Sequence, residues 1–243
     1  MYRVQKILSM LGISSRRECE KLILQKKIKI NNQIAILGSK IKENDSVSVN
    51  GKLYIIDRKL FNKNIRVILY NKLVGEIVTH KDTHKRKTVF KNLPKVDSKL
   101  INIGRLDMNT SGLLLFTNNG ELAHRLMHPS YNNLRKYHVT ISSELNKSEL
   151  SKMKRGVKIG ENEIGNFLNI KKLKGNYKSS YEVTLNRGRY REVRRIFKGL
   201  GHMVKKLKRI KYSSVCLGNL KLGKFKELTK KGVNDLMKEV NYT

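Results

Sequence analysis

Residues 101–130, INIGRLDMNTSGLLLFTNNGELAHRLMHPS, constrain this chain more than any other segment. Leu113 to Phe116 is an unbroken apolar run, short enough to be a strand covered on both faces. A second strand reads in LINIG, and the polar loop GRLDMNTSG joins the two. A loop with both ends anchored in buried strands must satisfy many polar atoms in a small space. It also holds Asp107 at a fixed place. Two readings are open for that carboxylate: it accepts loop N–H bonds and caps a turn, or it belongs to a site. In NNG, residues 118–120, an Asn caps the helix that follows in ELAHRLMH.

Around this segment, RVILYNK, YHVTI and YEVTL read as further strands, and SELSKMKRG, REVRRIFKGLG and KKGVNDLMKEV as helices. The order lacks regular strand–helix–strand spacing, which favours an α+β fold over a doubly wound sheet. The N-terminus reads as a smaller unit. Val4, Ile7, Leu8 and Leu11 have helical spacing and Gly12 ends that helix. Ser15 and Glu18 have capping-box spacing and open a second helix whose apolar stripe is Cys19, Leu22 and Ile23. Short strands follow in KIKIN, NQIAILG and DSVSVNG. The charged stretch 57–64, DRKLFNKN, is the expected linker, dividing a unit 1–60 from a unit 61–243.

The partner follows from charge. Lys and Arg number 53 against 19 Asp and Glu, a formal charge of +34. Such a field attracts polyanions and opposes self-association, so a monomer is expected. Each neutralised phosphate releases counterions, which makes nucleic acid the natural partner. A lysine-rich codon bias accounts for some of this charge but not for the arginines clustered from Arg187 to Arg195. With 39% hydrophobic residues, the chain is no disordered basic tail. Cys19 and Cys216 stand alone, which fits a reducing compartment. No apolar run approaches a membrane span and the start is too polar for a secretory leader, so a cytoplasmic location is expected. His124 and His128 are four apart, but no Glu follows the first of them and no metal is expected. There is no glycine-rich phosphate loop, so nothing suggests ATP.

Three further places bear on chemistry. In RKYHVTI, Tyr137, Val139 and Ile141 share one strand face. Pattern alone favours a core tyrosine with a satisfied hydroxyl; the other reading is a platform beneath an unstacked base. In REVRRIFKGL, Val193, Ile196, Phe197 and Leu200 form an apolar stripe, and Arg191 and Arg195 fall on the far face toward solvent or phosphate. Arg194 lies ~60° beyond Phe197 on the wheel. It therefore borders the stripe and reaches either along the core edge or inward toward a carboxylate. Arg16, Arg17, Lys21 and Lys26 mark the open face of the second N-terminal helix, either solvated or docking RNA.

GRLDMNTSGLLLFTNNGELAHRLMHPS and NRGRYREVRRIFKGLGHMVKKLKRI resemble the two signatures of the RsuA/RluB-type bacterial ribosomal RNA pseudouridine synthases. QKILSMLGISSRRECEKLI, KIKINNQIA and LGSKI resemble the S4 RNA-binding domain that those enzymes carry first. MHPS and RKYHV are closest to the RluB branch, which acts on large-subunit (23S) ribosomal RNA. The resemblance implies an S4-like domain followed by a mixed, mainly antiparallel catalytic sheet. It also implies isomerisation of a uridine without cofactor or metal, on ribosomal RNA or an assembling large subunit. Asp107 matches the catalytic aspartate and Tyr137 the tyrosine that stacks on the target base. Arg194 matches the arginine that pairs with the carboxylate. Leu207 matches an apolar residue beside the base, and Arg105 a basic residue that holds the flipped nucleotide open. The family's early Lys-Pro is here Asn71-Lys72-Leu73-Val74-Gly75, a departure that bears on a turn. A non-catalytic RNA-binding assembly factor would use the same charge without needing Asp107, Tyr137 and Arg194 together. A DNA-binding protein would need a base-reading helix that ILQKKIK does not supply.

Overall fold

The computed structural model describes residues 1–57, 64–80, 82–94, 96, 99–174 and 179–242. Of the expected linker 57–64, residues 58–63 lie outside the described residues. The chain divides into two compact units, Met1–Ile65 with Lys95–Leu100, and Arg66–Pro94 with Ile101–Thr243. No helix among the described residues is long and apolar enough to cross a membrane.

The first unit comprises β1 (Tyr2–Arg3), α1 (Val4–Met10), α2 (Arg16–Leu24), β2 (Ile28–Ile30), β3 (Gln33–Ile34), β4 (Lys40–Ile41), β5 (Ser46–Val49) and β6 (Lys52–Ile55). Val4, Ile7, Leu8, Cys19 and Ile23 meet the inner face of the antiparallel sheet β3-β2-β5-β6 through Ile28, Val47 and Val49. Leu11 departs from its expected place: it is the residue at which α1 ends, and it is exposed. Ser15 accepts from the Glu18 N–H at 3.2 Å, the forward half of the capping box. Arg16, Arg17, Lys21 and Lys26 are all exposed.

The second unit comprises β7 (Val67–Lys72), β8 (Ile101–Ile103), β9 (Ser111–Thr117), α3 (Gly120–Met127), β10 (Arg135–Ile141), α4 (Lys147–Arg155), β11 (Val157–Lys158), β12 (Ile164–Gly165), β13 (Asn169–Lys172), β14 (Ser180–Leu185), α5 (Glu192–Lys198), β15 (Val204–Tyr212), β16 (Val215–Cys216), β17 (Phe225–Glu227) and α6 (Lys230–Glu239). Its sheet runs β13-β14-β10-β15-β9-β7-β17, with β16 also on β15 and β8 also on β9. Every pairing in it is antiparallel except β15 with β9. The strand from Leu113 to Phe116 is fully buried, as its unbroken apolarity requires, and Asn119 caps α3 by accepting from the Glu121 and Leu122 N–H groups.

Two features of this sheet place the site. First, β9 is paired along one edge by β7, while its other edge is shared: β8 takes residues 115–117 and β15 takes residues 111–112. The loop 104–110 joins β8 to β9, so it leaves the sheet at the fork where β8 and β15 diverge. Second, one rung of the sheet reads Lys72, Gly112, Arg209, Tyr137, Val183, Ile170. Directly paired residues point to the same side, which fixes Arg209 and Tyr137 on one face.

Candidate active site

A cleft of about 770 Å³ lies over that rung, lined among others by Arg105, Asp107, Tyr137, Arg191, Arg194 and Leu207. The sheet supplies its floor. Tyr137 is 8% exposed, and its hydroxyl makes no hydrogen bond to the described residues. A satisfied core tyrosine is therefore not what the structure holds. Leu207, paired with Val139, stands two residues from Arg209 on the same face.

Asp107 enters from the fork. It is half-buried, its backbone carbonyl accepts from the Thr110 N–H at 3.0 Å, and its carboxylate accepts no hydrogen bond from the described residues. What acts on the carboxylate is charge. Arg194 stands within electrostatic reach, but the expected direct hydrogen bonds are not formed. Its guanidinium instead donates to Val204 O at 3.1 Å and Asn109 O at 2.8 Å, and its buried Nε has no partner among the described residues. Arg194 thus ties α5 to β15 and to the loop two residues past Asp107. Burial holds its pKa down, as does the neighbouring Arg191, while Asp107 opposes them.

A second cation was not anticipated. Lys72 is fully buried at the end of β7, and its Nζ donates to the carbonyls of Leu73 (2.8 Å), Thr110 (3.0 Å) and Met108 (3.4 Å). It grips the Asp107 loop just past the carboxylate. The turn that follows grips it too, since the Gly75 N–H donates to Met108 O at 2.8 Å. Glu76 stiffens that turn by accepting from Leu73 N, Asn92 Nδ2 and the Tyr70 hydroxyl. No proline is needed where a buried carboxylate and Gly75, at φ 91°, already set the turn.

Burial pushes the Lys72 pKa down from 10.5 to about 8, against the opposing pull of Glu76 and Asp107. Between these two values the unfolded chain binds more protons than the folded one, so this group makes the fold more stable as pH rises from about 8 to 10.5. The full change is roughly 3 kcal/mol. Urea denaturation across that range should show wild type gaining on Lys72→Met. A stability difference that is flat with pH would refute this account of Lys72.

Arg191 and Arg195 differ from their helical-wheel placement. The helix starts one residue later than expected, at Glu192. Arg191 is its left-handed N-cap (φ 49°, ψ 31°) and stays exposed on the cleft rim. Arg195 is half-buried, ion-paired with Glu163 and bonded to Ile159 O, away from the cleft lining. Arg16, Arg17 and Lys21 belong to the other unit.

Residues 66–198 match the family model for RNA pseudouridylate synthase, and residues 3–47 match the S4 domain. The chain belongs to the RNA pseudouridylate synthase family. Within that family it is 41% identical to the ribosomal large subunit pseudouridine synthase B of Buchnera aphidicola subsp. Baizongia pistaciae, over 98% of both chains. It is 37% identical to the protein of that name from Pseudomonas aeruginosa, over 98% of this chain and 62% of that relative. The crystal structure of a pseudouridylate synthase superposes with a TM-score of 0.68 at 26% identity, covering 97% of this chain and 100% of that one. The cleft holds a half-buried carboxylate and a tyrosine whose hydroxyl has no partner among the described residues.

Proposed function

We propose that this synthase isomerises a uridine of large-subunit ribosomal RNA, with Asp107 as the catalytic carboxylate. The observation that carries the reading is the gathering of Asp107, Tyr137, Arg194, Leu207 and Arg105 around one cleft from four separate sequence segments. The large-subunit substrate rests on the relatives, which are ribosomal large subunit pseudouridine synthases B.

A base inside folded RNA must be flipped out before its glycosidic bond can be reached, at a cost of a few kcal/mol. Arg105, exposed at the start of the loop, offsets that cost by holding the vacated backbone. The Asp107 carboxylate acts on the sugar, either as nucleophile at C1′ or as the base that withdraws a sugar proton. The N1–C1′ bond breaks, the uracil turns, and C5 bonds to C1′. C5 then loses its proton and N1 ends protonated, so product and substrate are isomers. Tyr137 stacks on the detached ring throughout, an interaction that tolerates its rotation. Lys72 and Arg194 keep Asp107 among positive charges and fix the loop from both sides. The N-terminal unit supplies phosphate contacts through Arg16, Arg17 and Lys21, and Arg191 adds one at the cleft rim. Arg195, paired to Glu163, supports α5 instead.

The test is a pseudouridine map of ribosomal RNA from cells with and without the gene. Loss of one large-subunit pseudouridine is expected. Persistence of every pseudouridine would leave an RNA-binding factor without catalysis.

A further inference from the structure

Tyr190 has no role in the chemistry above, yet it lines the same cleft as Asp107 and Tyr137 and is 72% exposed. Among the described residues its ring makes no aromatic or cation–π contact and its hydroxyl no hydrogen bond. The backbone beneath it is held firmly. Arg189 donates through its N–H to Glu192 at 3.0 Å and through Nη1 to Ile164 O at 2.8 Å. The carbonyl of Tyr190 accepts from Arg195 Nη1 at 3.4 Å. Arg191 turns the chain through a left-handed conformation. Arg has no intrinsic reason to sit there, and such conformations gather where a loop is held for a function. The loop therefore fixes the base of the ring and leaves its faces open.

The neighbours say what meets those faces. Arg187 and Arg191 are exposed on either side, line the cleft, and have no carboxylate partner among the described residues. An open aromatic ring on a cleft wall that also carries these two guanidiniums matches a nucleotide strand, with phosphates on the arginines and a base on the ring. Tyr137 sits in the floor and is nearly covered, so it is placed for the target base. Flipping that base leaves its strand neighbours without a stacking partner.

We propose that Tyr190 is a stacking platform for the nucleobase adjacent to the target uridine, with Arg187 and Arg191 on the flanking phosphates. This rests on the proposed pseudouridine synthase activity. Stacking of this kind tolerates any base, so it sets affinity and register without reading sequence.

The experiment follows tritium release from a large-subunit ribosomal RNA transcript made with 5-tritiated uridine. Tyr190→Ala should raise KM between about 5-fold and about 150-fold, with the single-turnover rate at saturating RNA unchanged. Tyr190→Phe, which keeps the ring, should behave as wild type. In a short RNA spanning the modified uridine, an abasic nucleotide on one side should weaken wild type by the same factor. That abasic site should cost Tyr190→Ala nothing further. An unchanged KM in Tyr190→Ala overturns the proposal, as does a rate loss at saturation, which would make the residue a structural one. Equal abasic penalties in wild type and Tyr190→Ala on both sides also overturn it. In each of these cases the synthase reading stands, whereas wild type releasing no tritium overturns that reading and this inference together.

Discussion

Asp107→Asn is expected to leave the fold and RNA affinity intact while lowering pseudouridine formation by at least about 10³-fold. The structure makes this substitution unusually clean. The carboxylate accepts no hydrogen bond from the described residues, so an isosteric amide removes no structural contact. Its removal takes one negative charge from a cleft already lined by Arg105 and Arg194, with Lys72 buried behind the loop, which favours a polyanion slightly more. The chemistry loses everything the carboxylate supplies, since an amide is neither nucleophile nor base. Filter binding and tritium release on the same transcript separate the two effects. Wild-type turnover by Asp107→Asn would remove Asp107 from the mechanism. A parallel loss of RNA binding would make it a docking residue.

Much of this candidate site is legible in the sequence. Asp107, Tyr137 and Arg194 lie in segments whose local pattern is regular: a loop between apolar strands, a period-2 strand, and an amphipathic helix. The fork that brings them together was not legible, because the strand that builds it conceals itself. Five of the nine residues of β15 are Lys or Arg. Its pairing with β10 also shifts register between Lys136 and Tyr137 and again between Thr140 and Ile141. Each bulge inserts one residue, so the buried positions fall at Val204, Leu207, Arg209 and Tyr212. Spacings of three, two and three match no strand template. Lys72 escaped for a related reason. A lysine closing an apolar strand reads as the exposed end of that strand, and only tertiary structure shows three carbonyls waiting for it. Arg194 shows the limit of a wheel argument. The wheel puts it at the border of the buried stripe, where it is half-buried, but cannot say that backbone carbonyls, and not the carboxylate, take its hydrogen bonds.

Gly112→Ala should be the most damaging single-methyl change in the catalytic unit, costing roughly 3–5 kcal/mol. Gly112 stands in the rung between Lys72 and Arg209, where β9 is paired on both edges. A Cβ there would lie 2.2 Å from the Arg209 carbonyl oxygen and 2.7 Å from its nitrogen. Both are backbone atoms of a central strand, with no flexible end to swing aside, and the φ of +99° adds strain of its own. Relief requires β15 to move off β9, and that step carries Leu207 and Arg209 away from the loop bearing Asp107. Gly104→Ala is the matched control. Gly104 also has a positive φ, +71°, but nothing lies within 4 Å of its Cβ position, so that substitution should cost about 1 kcal/mol. Urea denaturation of the two variants therefore separates conformational strain from strand collision. Equal, small losses in both would mean that β15 yields freely at the fork. A large loss confined to Gly112→Ala, with turnover reduced in whatever fraction still folds, would show that the close approach of these two strands holds Leu207 and Arg209 beside the loop of Asp107.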